Sequence, residues 1–186
     1  MYKTKGELIM IRKATTKDLN AIESSYLEHF IHEQTHKAYT VFKEGVYPTK
    51  NDAKKALNQD ALYVYEDNDE IFASMIFNSI QPEEYQKIPW PSEQSNPVSS
   101  DQLRVIHLLM VRPSAAGKGI GVAMVKEALL IAKKENCHVV RLDTGSQNIP
   151  ASSLYQKMGF QLIAAQPMKV GGMIAHKKHL FFEYIL

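Results

Sequence analysis

Between an apolar, strand-like run ending at Val111 and a long amphipathic stretch lies the segment Val111-Arg-Pro-Ser-Ala-Ala-Gly117-Lys-Gly119-Ile-Gly121. Three glycines at i, i+2 and i+4 can take positive φ and turn their N–H groups inward without interference from a Cβ. A helix opening behind such a corner adds its own unpaired N–H groups and the positive end of its dipole. The combination predicts a phosphate or pyrophosphate site. It is neither common phosphate loop: the Lys-Ser/Thr ending of a Walker A loop is absent, and so is the G-x-G-x-x-G spacing of a dinucleotide fold. A tight strand-to-helix turn would use the same glycines, so the corner alone leaves both readings open.

Hydropathy periods arrange the rest of the chain around that corner. A strand is expected over 8–13, then a helix capped by Thr15 or Thr16 that carries Leu19, Ile22, Tyr26 and Phe30 at helical spacing and ends near His36. An aromatic loop over 39–48 precedes a second helix opened by Thr49 or Asn51 and running through Leu57. Strands over 61–66 and 70–79 flank Asp67-Asn-Asp, a hairpin signal. Residues 80–101 hold four prolines and read as a long loop, of the kind usually functional or mobile. A strand over 102–111 leads into the glycine corner and a helix over 119–135, with Val122, Val125, Leu129 and Ala132 on one stripe. A buried strand from Val139, a short helix with Pro150 near its start and Gly159 behind it, and a last hairpin of 161–165 with 180–186 about Gly171-Gly172 complete the order.

The segments Val139-Val-Arg-Leu-Asp-Thr, Asn148 and Ala151-Ser-Ser-Leu154-Tyr155-Gln-Lys157-Met-Gly159-Phe160 follow that corner in sequence. Together, strand, R/Q-x-x-G-x-G/A turn, helix, strand, Asn and Ala-x-x-Leu-Tyr-x-Lys-x-Gly-Phe resemble the GCN5-related N-acetyltransferase (GNAT) superfamily. The core of the resemblance covers residues 103–165, and the order of elements extends it to nearly the whole chain. It implies the α/β acyl-CoA N-acyltransferase fold: a mixed, mostly antiparallel sheet of about seven strands with about four helices, splayed between the fourth strand (102–111) and the fifth (from Val139) by a bulge. One departure stands out. The family's Arg/Gln position is occupied by Ala116, so backbone donors, with Lys118 as a neighbouring cation, are left to bind the diphosphate.

The resemblance also assigns roles. Acetyl-CoA is the implied acyl donor, and direct attack in a ternary complex the implied route. Backbone groups of Leu109, Met110 and Val111 are expected to pair with its pantetheine arm as an added strand would. An N–H near Val111 would serve as oxyanion donor, a contribution worth about 2.7–4 kcal/mol at other acyl-transfer sites. The loop through Gly117, Lys118, Gly119, Ile120, Gly121 and Val122 would hold the diphosphate. Asn148 would contact the cofactor arm, and Lys157 the 3′-phosphate unless it is simply an exposed helix lysine. Tyr155 is expected to be the general acid, donating to the departing sulfur; as a sequence feature it equally suits a core aromatic. His107 is a candidate base, on one face with Leu109 and Val111 by period two, or else a satisfied strand histidine; Asp143 is another, although a structural hydrogen-bond role suits it better. Phe42, Tyr47 and Trp90, with Tyr39, would wall the acceptor, or else anchor their loops.

Other features narrow the alternatives. A chain of 186 residues with a formal net charge of +2 fits one domain, 10–186, and has no basic cluster suited to nucleic acid. Met10-Ile-Arg-Lys-Ala-Thr reads as a start, which makes residues 1–9 an expected N-terminal extension. Its single cysteine, Cys137, suits a reducing, cytoplasmic setting and reads as buried. No segment is apolar enough for a membrane span or a signal-peptide core. The expected partner is an amine, on a small molecule or a peptide; homodimerisation, common in similar proteins, is left open. His32-Glu33-Gln-Thr-His36 matches the zinc motif H-E-x-x-H, but lacks the H-x-x-G-x-x-H extension and an evident third ligand, so no metal centre is expected. A non-catalytic acyl-CoA sensor on the same fold is the other alternative, to which Ala116 lends support.

Overall fold

In the computed structural model, which describes residues 2–4 and 7–186, eight strands and four helices alternate along the chain. They are β1 (Tyr2–Thr4), β2 (Glu7–Lys13), α1 (Leu19–Thr35), α2 (Lys50–Asn58), β3 (Leu62–Asp67), β4 (Glu70–Asn78), β5 (Leu103–Val111), α3 (Ile120–Lys134), β6 (Val139–Gly145), α4 (Ile149–Lys157), β7 (Gln161–Val170) and β8 (Ile174–Ile185). Strand β1, antiparallel to β2, raises the count from the expected seven to eight. Because β2 starts at Glu7, the expected boundary between residues 9 and 10 falls inside a strand. Contacts group the chain into two compact units.

The first unit contains β1–β4, α1, α2, the end of β5 from Leu108 and the start of α3 through Met124. Its strands β2, β3 and β4 form an antiparallel meander. The β3–β4 turn places Asn68 and Asp69 at φ 48° and 63°, a conformation that short polar side chains tolerate. Ile22, Tyr26 and Phe30 of α1, spaced four apart, bury one face against Ala53 and Ala56 of α2 and against Leu62, Val64 and Ile71. Thr49 caps α2 reciprocally: its N–H donates to Asp52 Oδ2 at 2.8 Å, and the Asp52 N–H donates to its Oγ1 at 3.4 Å.

Asp18, at the entrance to α1, accepts from Arg12 Nη1 and Nη2 at 2.8 and 2.9 Å and from the Thr15 N–H at 2.7 Å. The Arg12 hydrogen bonds, with those from Thr15 and the Arg12 charge, outweigh burial and hold its carboxyl below the usual range. A lowered folded-state pKa stabilises the protein above the unfolded carboxylate's range, and that stability is lost as pH falls through the folded value. Asp18→Asn is therefore expected to cost about 1.5–3 kcal/mol near neutral pH. In urea unfolding, the gap to the parent should narrow steadily under acid.

In the second unit, comprising 39–41, 78–107 and 125–186, the start of β5 pairs parallel with β6, β6 antiparallel with β8, and β8 antiparallel with β7. Strand order within this unit is thus β5-β6-β8-β7. The last hairpin is longer than expected. Pro167 lies where the β7–β8 register shifts between Gln166 and Met168, as proline can on an edge strand. Residues 80–101 contain two short 3₁₀ turns, Glu83–Lys87 and Pro91–Glu93, and bury Tyr85, Ile88 and Trp90 against Leu103, Val105, Val139 and Phe181. The buried stripe of α3 is Ile120, Met124, Val125, Ala128 and Ala132; Val122 and Leu129, expected on it, are half-buried. Cys137 is buried. Among the described residues, no helix is long and apolar enough to cross a membrane.

Candidate functional site

Among the described residues, strands β5 and β6 pair over four positions, from Leu103 opposite Val139 to Ile106 opposite Leu142, while β5 runs on to Val111 and β6 to Gly145. Just past the last pair, Leu108 sits at φ 46°. A bulky residue in that region is a genuine outlier and costs about 1–3 kcal/mol unless its surroundings impose it. Here Leu108 and Met110 pack on the core of the first unit. The kink breaks the strand's alternation, so the period-two argument that put His107 on one face with Leu109 and Val111 does not hold across residue 108. Beyond the strand, the Arg112 N–H is tied to the Phe72 carbonyl at 2.8 Å.

The corner then opens as its glycines require. Gly117 and Gly119 both lie at φ 79°, and a Cβ at either would meet nothing within 4 Å. Gly121 differs from the expectation: it lies inside the first turn of α3, without positive φ. The first helical bond runs from the Ala123 N–H to the Gly119 carbonyl at 3.0 Å. The N–H groups of Ile120, Gly121 and Val122 therefore have no acceptor within the helix. Ala116 is exposed and offers only a methyl group, while Lys118 is exposed with Nζ 6.0 Å from the Phe72 ring centroid. Three open donors and a nearby cation beside unobstructed space suit an anion such as a diphosphate.

In the second unit, polar groups gather on Asp143 of β6. Its Oδ1 accepts from the Tyr85 hydroxyl and its Oδ2 lies by His179 Nδ1 of β8, both at 2.9 Å. Tyr155 of α4 is buried between the rings of Phe160 and Phe182. Burial first, and then the charge of Asp143, push its phenol above the ordinary range. The phenol thus keeps its proton at physiological pH and can donate it. Burial likewise dominates in raising Tyr85, followed by the charge of Asp143 and the hydrogen bond to it. His107, half-buried, is held below the usual histidine range by burial, against the charge of Asp143 and a backbone hydrogen bond at Ile80. Its Nε2 lies 3.2 Å from Asn78 Oδ1. Asn148 Oδ1 caps α4 by accepting from the Ala151 N–H at 3.3 Å, and Lys157 is exposed at the helix end.

Phe42 and Tyr47 meet edge-on at 5.5 Å in the first unit, half-buried, across a turn in which Lys43 and Tyr47 exchange backbone hydrogen bonds and Gly45 lies at φ 73°. Trp90 belongs to the second unit and is buried: its Nε1 donates to the Tyr85 carbonyl at 2.9 Å and its ring lies 4.2 Å from the Arg141 guanidinium carbon. That placement makes it an anchor of its loop rather than a wall residue. Among the described residues, the H-E-x-x-H segment belongs to no group of three or more His, Cys, Asp or Glu side chains that could hold a metal ion. His36 has left α1 with extended backbone, its ring stacks on that of His32 at 4.1 Å, and Glu33 is 3.4 Å from His29.

Arg141 was not singled out in the sequence. Wholly buried, it donates to Glu183 Oε1 at 3.0 Å, Gln81 Oε1 at 2.6 Å, Ser92 Oγ at 3.0 Å and Glu93 Oε1 at 2.8 Å. This network fastens the 80–101 segment to the sheet. A lone arginine inside Val-Val-Arg-Leu was the available signal; its cross-strand partner Glu183 depends on a register that spacing does not reveal.

A model of the acetyltransferase (GNAT) family matches residues 19–160. Among curated relatives, an uncharacterized N-acetyltransferase of Methanocaldococcus jannaschii is 33% identical over 64 residues, which is 34% of this chain and 28% of that protein's length. Among solved structures, a GNAT-family acetyltransferase of Streptococcus agalactiae superposes with a TM-score of 0.75 at 16% identity, over 96% of this chain and 95% of the other. A Salmonella typhimurium acetyltransferase, solved with its cofactor acetyl-CoA, gives 0.65 at 19% identity, over 96% and 94%.

Proposed function

We propose that this chain, which belongs to the acetyltransferase (GNAT) family, transfers the acetyl group of acetyl-CoA to a primary amine by direct attack in a ternary complex. The observation that carries this reading is the early end of β5–β6 pairing, at the kink of Leu108, followed by a glycine corner with open N–H donors. A strand released from its neighbour has free backbone groups, and the amide-rich pantetheine arm is suited to pair with Leu109, Met110 and Val111. The corner and the first turn of α3 would bind the diphosphate, with Lys118 in place of the missing side chain at 116. Asn148 would face the cofactor arm and Lys157 the 3′-phosphate. The amine's lone pair attacks the thioester carbon while an N–H near Val111 stabilises the oxyanion. As the C–S bond breaks, Tyr155 donates its proton to sulfur. Phe42 and Tyr47 are proposed to contact the acceptor, a small-molecule amine or a peptide.

The test is free-thiol release from acetyl-CoA against a panel of amino acids, polyamines, aminoglycosides and peptides. Release with at least one amine is expected. Acetyl-CoA binding without release from any acceptor would favour the sensor reading. Gly119→Val separates the corner from the rest of the site. Residue 119 sits at φ 79°, where a side chain costs about 1–2 kcal/mol, and the valine would project into the space left for phosphate. Affinity for acetyl-CoA should fall at least about tenfold, a loss of about 1.4 kcal/mol.

A further inference from the structure

Resting on the acetyl-transfer reading above, we infer that His179 is the proton acceptor of that reaction, taking through Nε2 the proton that the attacking amine gives up. Asp143 is its positioning residue. His179 is 4% exposed, and its Nδ1 lies 2.9 Å from Asp143 Oδ2. With Asp143 Oδ2 accepting from Nδ1–H, the imidazole presents its lone pair at Nε2. That nitrogen is buried and has no hydrogen-bond partner among the described residues. A buried acceptor left unpaired costs of order 1–3 kcal/mol, and an attacking amine would supply the donor that it lacks.

The surroundings fit the task. His179 pairs with Gly145 at the end of β6, beyond Leu142, where β5 stops pairing. Asp143 cannot easily turn away, because its other oxygen holds the Tyr85 hydroxyl at 2.9 Å. Its charge acts on both Tyr155 and His107. When His179 is protonated, the adjacent carboxylate balances the new charge. The ionisable groups about the pair are Asp143 from β6, His176 from β8 with its ring edge-on at 4.7 Å, and, beyond Asp143, Tyr85, Tyr155 and His107, with Arg141 acting on Tyr85. His107 is the poorer base: its ring already faces Asn78 Oδ1 and the Ile80 backbone. In the balanced step the amine nitrogen bonds to the thioester carbon and its proton passes to His179 Nε2. The C–S bond breaks and sulfur takes the phenolic proton of Tyr155. The imidazolium proton then returns to the phenolate through solvent.

Two measurements on the full chain test the inference. Long-range ¹H–¹⁵N NMR of histidine-labelled protein, with the His179 signal identified by its loss in His179→Gln, should show Nδ1 protonated and Nε2 bare at neutral pH. Asp143→Asn should abolish that preference. A proton on Nε2 at neutral pH would overturn the inference, whatever the turnover. In thiol release, glutamine keeps a donor for Asp143 but no basic nitrogen. His179→Gln should lower kcat about 10²-fold, with acetyl-CoA affinity within about twofold, and the rate should recover as pH rises and the amine loses its proton unaided. An unchanged kcat and pH profile would also overturn it. If the parent chain releases thiol with no amine, it is the acetyl-transfer reading that fails, and the NMR result still decides the state of His179.

Discussion

Arg141→Ala should cost about 3–5 kcal/mol of folding stability in urea unfolding, the magnitude seen when one partner of a buried ion pair is removed. The guanidinium is wholly buried and supplies four hydrogen bonds, so its loss leaves Glu183, 2% exposed, as an uncompensated carboxylate and strips Gln81 of a donor. The Ser92 N–H and hydroxyl still reach Glu183 at 3.1 and 2.6 Å, but cannot neutralise it. Against a typical total of about 5–15 kcal/mol the deficit is severe. Adding Glu183→Leu should return part of it, because removing both charges removes the desolvation cost as well. If Arg141→Ala lost under 1 kcal/mol, the network would not be what fastens the 80–101 segment.

The second large effect concerns chemistry. Tyr155→Phe keeps the ring that packs against Phe160 and Phe182 and removes only the hydroxyl, so folding should change little. Turnover should fall about 10²-fold, equivalent to about 2.7 kcal/mol in the barrier, with the dissociation constant for acetyl-CoA nearly unchanged. Unchanged turnover would remove Tyr155 as the acid and return it to the role of core aromatic.

What could be read in the sequence follows from the range of the interactions. Local signals were reliable: Thr49 caps α2, the Asn68-Asp69 turn joins β3 to β4, and Gly117 and Gly119 take the positive φ expected of them. Element order followed from periodicity where an element buries one face, as α1 does, and from an unbroken apolar run where it buries both, as Val139-Val140 of β6 begins to show. Features set by distant partners were hidden. The buried face of α3 is offset from the expected stripe, since what packs on a helix selects its face. Leu108 carries a kink that its type disfavours, and nothing local announces it. Trp90 has the composition of a binding-wall residue and became an anchor because Arg141, far along the chain, lies against its ring. His179 stood in a run, His176-Lys-Lys-His179, that reads as a solvated face; only the pairing of β8 with β6 brings it to Asp143.

Backbone donors at Gly117–Val122 are proposed to hold the diphosphate of acetyl-CoA. Isothermal titration calorimetry of acetyl-CoA into the full chain tests that proposal most directly. Saturable binding at one site per chain is predicted, much weakened in Gly119→Val. No detectable affinity, or equal affinity in the valine variant, would contradict it.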